Sequence, residues 1–192
     1  MFKGLKHQLL EPLTHISLIY KANKAEFDER MSGLAKDLNI NVLTESELNI
    51  PIGGTILLRD EATKRLIQEE CDQLISEAVK SKRIDHLQLT PTIKQALLAN
   101  EARFGLIVIQ SGFSRSGGNY TTEVLKSLFF GIVSLGMVQY IPNKAGSTLY
   151  TMIVDAENEN IVFYRMSQVP GEPLNKKSLS KQYQSIFKSY FY

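Results

Sequence analysis

The residues best placed to do chemistry lie in one glycine- and serine-rich stretch, Ser111-Gly-Phe-Ser-Arg-Ser-Gly-Gly-Asn119, directly after the apolar run Phe104-Gly-Leu-Ile-Val-Ile-Gln110. A serine on a sharp turn that follows a buried strand is how α/β-hydrolases present their nucleophile. Here two residues rather than one separate Ser114 from Gly117, and His7, His15 and His86 all precede the serine. That fold supplies its base after the serine, so both spacing and chain order speak against acyl transfer. The same loop, 111–119, could cradle a small anion or nucleotide: backbone N–H groups of a glycine-rich turn at Gly117 and Gly118 would face the ligand, and Arg115 would add charge. It lacks the Gly-Lys-Ser/Thr ending of a phosphate loop and the glycine spacing of a dinucleotide fold. Glycine-rich loops that leave a strand are mostly tight turns.

Other reactive types are dispersed. The histidines are far apart in sequence, and none pairs at helical spacing with a second metal-ligand type. Cys71 sits within the apolar stripe of a helix, which predicts a buried, inert thiol. Asp155, Glu157 and Glu159 fall in a hairpin turn, where polar residues are expected anyway. The sequence therefore implies no catalytic residue, no metal site and no cofactor. Contact chemistry is better represented. Leu128-Phe-Phe-Gly-Ile-Val-Ser-Leu-Gly-Met-Val138 is uncharged, and as a helix it would span about 16 Å, half of a bilayer's hydrocarbon core. One reading is a segment buried on the sheet. The sharper one is a surface for a partner or a membrane interface, with Phe129, Phe130 and Met137 as its contact residues.

The elements that position these stretches are read from periodicity. Phe104–Gln110 and Thr148–Val154 are short runs, apolar on both faces, of the kind found mid-sheet. Residues 1–12 form a weakly patterned lead-in, and His15–Tyr20 reads as the first strand. Asn23 and Glu26 have the spacing of a capping box; the helix after them faces Phe27, Met31, Leu34, Ala35 and Leu38 inward, and Asn39–Thr44 reads as a second strand. That order forms a right-handed crossover unit. Thr55–Leu58 is a short strand or an approach to the next helix, in which Ala62, Leu66, Ile67, Cys71, Leu74, Ile75, Ala78 and Val79 make one stripe. Thr90-Pro91 predicts a capped helix over Thr92–Ala102. After the central stretch come a hairpin with Ile161–Arg165, a loop at Pro170–Pro173, and a helix capped by Asn175. That last helix turns Leu179, Tyr183, Ile186, Phe187 and Tyr190 inward and Lys177, Lys181 and Lys188 outward.

The fold class that follows is α/β: a single domain over 1–192, with a mixed, mostly parallel sheet of about five strands, a C-terminal antiparallel hairpin and four or five helices. Within it, 118–146 is a glycine-punctuated apolar insert and 174–192 the terminal helix. Composition agrees, since 192 residues, 43% hydrophobic and 22% charged, suit one soluble core. Residues 1–100 carry 13 Lys/Arg against 14 Asp/Glu, and residues 101–192 carry 9 against 6. An excess of three is too small for a nucleic-acid footprint. One cysteine excludes an internal disulfide. Met1-Phe-Lys-Gly-Leu-Lys-His has no apolar core of a signal peptide.

Together, Gly105–Ile109, Leu125–Gly136, Ser147–Asp155, Asn160–Tyr164 and the closing Ser178–Phe191 resemble a group of small bacterial lipoproteins. More distantly, the order of elements is similar to the α/β domain of curli-secretion (CsgG-type) lipoproteins and the TolB amino-terminal domain. The likeness covers residues 100–192 well and 12–50 loosely. It implies a non-enzymatic domain of a periplasm-facing, membrane-anchored lipoprotein, whose lipid-bearing cysteine lies outside this sequence, and which acts by assembly or contact with envelope proteins or with itself. A cytoplasmic anion-binding module is the alternative.

Overall fold

A computed structural model describes residues 6–19, 24–45, 48, 50–58, 60–81, 84, 87–115, 145–188 and 190. The sheet is organised around β4, Phe104–Arg115, and β5, Ala145–Asp155, which pair antiparallel from Phe104↔Asp155 to Ser114↔Ala145. Side-chain alternation splits β4 between two cores. Ile107 and Ile109 pack with Ile67, Cys71, Leu74, Ile75, Ile93 and Leu97 on one face. Leu106 and Val108 pack with Val42, Leu43, Tyr183 and Phe187 on the other. The expectation that Leu106–Ile109 and Leu149–Val154 lie side by side in the interior is borne out, since each residue of both runs is buried.

The other side of β4 carries two strands end to end. β1, His7–Leu10, runs parallel to Phe104–Leu106, and β2, Leu13–Ile19, runs parallel to Ile109–Arg115. Between Leu9↔Leu106 and Leu13↔Ile109, three residues face two of β4, which makes a bulge of Leu10-Glu11-Pro12. Proline has no N–H to leave unpaired there. The Glu11 N–H instead donates to the Ile56 carbonyl at 2.9 Å, and its buried carboxylate accepts from the Leu58 N–H and the Lys36 ammonium, both at 2.9 Å. Burial opposes that charge, but the Lys36 ammonium and the Leu58 N–H outweigh it and hold the carboxyl below its ordinary range. β3, Ile52–Ile56, adds outside β1 in parallel, and β6, Asn160–Pro170, outside β5 in antiparallel. The result is an open six-stranded mixed sheet, with α1 (Lys24–Glu45), α2 (Glu61–Ser81), α3 (Pro91–Leu98) and α4 (Lys176–Phe187) as the described helices.

Several boundaries differ from the sequence expectation. The lead-in 1–12 contains β1, a strand flanked on both sides; four residues cut off by a glutamate and a proline give too short a run to read. The strand expected at Asn39–Thr44 is the last part of α1. Its Ala35, Asn39, Val42 and Leu43 are buried at helical spacing, so tertiary packing overrides the β-branched run. The crossover therefore joins β2 to β3 through a longer helix. Leu34 and Leu66, at 49% and 50% exposed, lie off their buried faces, as does Ala62. α3 stops at Leu98, and Thr90 does not cap it. The cap comes from α2, where the Glu70 carboxylate accepts from the hydroxyls of Thr90 and Thr92 (2.5 Å each) and from the N–H groups of Thr92 and Ile93. Asn175 does cap the last helix, its Oδ1 accepting from the Ser178 N–H at 3.0 Å. The Cys71 thiol is fully buried and pushed far above its ordinary range by that burial, as an inert core cysteine should be.

Candidate functional site

β4 and β5 remain paired up to Ser114↔Ala145, the last pair before residues 116–144, and a buried polar network sits just beneath it. Gln110 is the last residue of the run Leu106, Val108, Gln110 on one face of β4, and Ser147 lies on β5. The Gln110 amide donates to Ser147 Oγ at 3.2 Å and to the Pro173 carbonyl at 2.9 Å. Its Oε1 accepts from Asn39 Nδ2 at 2.6 Å. Asn39 also donates to the Ala35 carbonyl at 2.7 Å, and its Oδ1 accepts from the Tyr183 hydroxyl at 2.5 Å. Gln182, next to Tyr183 on α4, donates to the Ser167 carbonyl of β6 at 3.3 Å. One set of neutral side chains thus ties α1, β4, β5, β6 and α4 together at the root of 116–144. Burial pushes the Tyr183 phenol well above its ordinary range, so it stays a hydrogen-bond donor at any physiological pH. The arrangement can hold geometry; it contains no acid, base or activated nucleophile.

Of the loop expected at 111–119, the described part is strand. Ser111–Arg115 continues β4, paired with His15–Ile19 of β2 on one side and, through Ser114, with β5 on the other. Ser114 therefore stands in a ladder between Leu18 and Ala145 rather than on a turn. Glycine at 146 leaves room for the Phe113 ring: a Cβ there would lie 2.9 Å from Phe113 Cε1, and the ring would have to shift. The Arg115 side chain, Gly117, Gly118, Phe129, Phe130 and Met137 lie outside the described residues.

Two further polar clusters serve the frame. Asp155, 2% exposed, accepts from Arg103 Nη2 at 3.0 Å and from the Glu157 and Asn158 N–H groups at 3.0 and 3.2 Å. Burial works against its charge, but Arg103 and the turn donors prevail and hold its pKa low. His7, fully buried on β1, places Nε2 3.2 Å from the Tyr190 hydroxyl and its ring 5.7 Å from that of Phe104, while Nδ1 has no hydrogen-bond partner. Burial lowers its pKa, with the Pro51 carbonyl offsetting a part. The unfolded chain then takes up a proton at about pH 6.5 that the folded chain does not accept. Stability should accordingly fall as the pH drops below that value, until the folded-state pKa is passed. His15 is shifted in the same direction by desolvation. Urea midpoints measured between neutral and mildly acid pH should show this slope, and His7→Phe should flatten it whatever its effect on absolute stability. An unchanged slope would contradict the assignment.

Sequence reading missed Asn39, Gln110, Gln182 and Glu11. The available signal was parity, because Gln110 follows Leu106 and Val108 on one face and so must be satisfied internally.

No protein-family model matches the chain, and no curated protein does. Among solved structures, it is similar to the PelC dodecamer from Paraburkholderia phytofirmans, with 10% identity, a TM-score of 0.40, and 96% of this chain and 83% of the other covered. It is also similar to the LpoB C-terminal domain from Salmonella enterica (11% identity, TM-score 0.32, 88% and 87% covered). A third is lipoprotein GNA1162 from Neisseria meningitidis (8% identity, TM-score 0.33, 90% and 84% covered). Likenesses this distant do not bear on the chemistry of the site. Among the described residues, no helix is long and apolar enough to cross a membrane.

Proposed function

We propose that this chain is a non-catalytic domain of an envelope lipoprotein, periplasm-facing and membrane-anchored, that works through protein contacts, with the apolar segment around Phe129, Phe130 and Met137 as its contact surface. The observation that carries the reading is how the residues flanking 116–144 are held. Ser114 and Ala145 are paired neighbours on the two central strands, and the Asn39–Gln110–Tyr183 network locks the flanking helices beneath them. A segment held at two fixed points on a rigid sheet is the usual way to present a recognition loop. From 127 to 143 its sequence has no charged residue, which suits the desolvated centre of a protein interface. Other envelope proteins or further copies of this chain are the partners of that reading; the envelope setting rests on the resemblance of residues 100–192.

Photo-crosslinking from position 137 in cells of the source organism tests it. Discrete protein adducts are expected, and Phe129→Ser with Phe130→Ser should remove them without lowering the melting temperature. If the double variant instead unfolds the domain and no adduct forms from position 137 in the parent, both phenylalanines are core residues and the contact reading fails.

A further inference from the structure

We propose that the outward ridge of α4 is a docking surface for an anionic lipid membrane. α4 buries Leu179, Gln182, Tyr183, Ile186 and Phe187. At about 100° per residue, Lys177, Lys181 and Lys188 fall within roughly 40° of one another, directly opposite that buried stripe. All three are exposed, and Ser178, Ser180, Gln184 and Ser185 complete the outward face. Arg165 extends the ridge sideways. It shares a face of β6 with Phe163, which stacks on Phe187 at 6.0 Å, and with Ser167, whose carbonyl accepts from Gln182, so the exposed arginine lies beside the C-terminal half of the helix.

Two features separate this ridge from an ordinary solvated face. The exposed faces of α1 and α2 mix signs, with Glu29, Arg30 and Asp37 on one, and Glu61, Arg65, Glu69, Glu77 and Lys80 on the other; α4 has no acidic residue. Its first turn also holds Lys176 and Lys177, at the positive end of the helix dipole, where a carboxylate would be the stabilising choice. Lys176 is matched by Glu45 at 2.8 Å; Lys177 continues the row toward Lys181. The sequence thus places cations where helix stability favours acids.

The chemistry of the ridge favours lipid over other polyanions. Its outward positions offer no aromatic ring to stack on a base or a sugar. Lysine is a hydrated point charge on a flexible stem, not the planar fork that reads single phosphates bidentately. A short row of such charges fits a diffuse negative surface, where each contributes about five-fold to partitioning and the three lysines together about 10²-fold. The contact is shallow and screened by salt. It would orient the domain on a membrane, independently of what 116–144 contacts.

The test is co-sedimentation of the full chain with vesicles of equal parts phosphatidylcholine and phosphatidylglycerol, against vesicles of phosphatidylcholine alone. Binding is expected only to the anionic vesicles, weakened by high salt and reduced at least tenfold by combining Lys177→Gln, Lys181→Gln and Lys188→Gln. A charge-matched control, Lys64→Gln with Arg65→Gln and Lys80→Gln on α2, should leave binding within about two-fold of the parent. The proposal is overturned by absence of binding, by equal binding to both vesicles, or by an equal loss in the α2 variant. It is overturned as well if single-stranded RNA or heparin binds more tightly than lipid with the same dependence on the α4 lysines.

Discussion

Replacing Asn39 by leucine should lower the stability of the folded chain by about 2–5 kcal/mol, because two buried polar groups lose their partner at once. Leucine has the branched shape of asparagine and is no smaller, so the loss would not come from a cavity. It would come from the Tyr183 hydroxyl, whose acceptor is Asn39 Oδ1, and from Gln110 Oε1, whose donor is Asn39 Nδ2. All three residues are fully buried, and water cannot substitute without opening the contact between α1 and α4. Denaturant unfolding would show the drop as a lower midpoint at constant slope. Tyr183→Phe removes one of the two orphaned groups, so the double variant should lose less than the sum of the singles by about 1 kcal/mol or more. Additive losses, or an Asn39→Leu variant within about 0.5 kcal/mol of the parent, would mean that the network does not hold α1 and α4 at the root of 116–144. The contact reading would then lose its rigid base.

The same residues explain which parts of the structure were legible in advance. β4, β5, the terminal hairpin, α2 and α4 follow from local regularities: runs apolar on both faces, an apolar stripe at helical spacing, an asparagine cap. Such signals survive without knowledge of the partner element. What failed to read depended on contacts distant in sequence. β1 is a strand because β3 and β4 flank it, 45 and 97 positions away at His7↔Ile52 and His7↔Phe104. Residues 39–44 are helical because Asn39 bonds Gln110, and Val42 and Leu43 pack in the core that holds Tyr183 and Phe187. α3 is capped by Glu70, twenty positions before Thr90. Ser111–Arg115 looked like a loop from its glycine and serine content, yet pairing with β2 throughout and with β5 as far as Ser114 makes it strand. The polar network was hidden for the same reason, since an amide in a hydrophobic run shows its purpose only when its partners arrive from other elements.

Gly105 shows how one backbone position can decide the docking of a helix, and Gly105→Val is the other substitution expected to have a large effect. Gly105 lies on the face of β4 that receives α3, between Gln8 of β1 and Val154 of β5. A Cβ built there would meet Leu97 Cδ2 at 2.7 Å, Leu97 Cδ1 at 2.9 Å and Val154 Cγ2 at 3.1 Å. Leu97 is itself fully buried near the end of α3, so its methyls have no free space to enter. Alanine should cost about 1–2 kcal/mol and valine about 3 kcal/mol, the upper range for overpacking a dense core. The geometry also predicts a suppressor. Leu97→Ala alone should cost about 2–4 kcal/mol through the cavity it leaves, but in the Gly105→Val background the added methyls fill that cavity. The pair should therefore be less destabilised than the sum of its parts by at least about 1 kcal/mol. Thermal melts of the two single variants and the pair give this coupling directly. A neutral Gly105→Ala, or strict additivity with Leu97→Ala, would show that α3 does not close on β4 at this glycine.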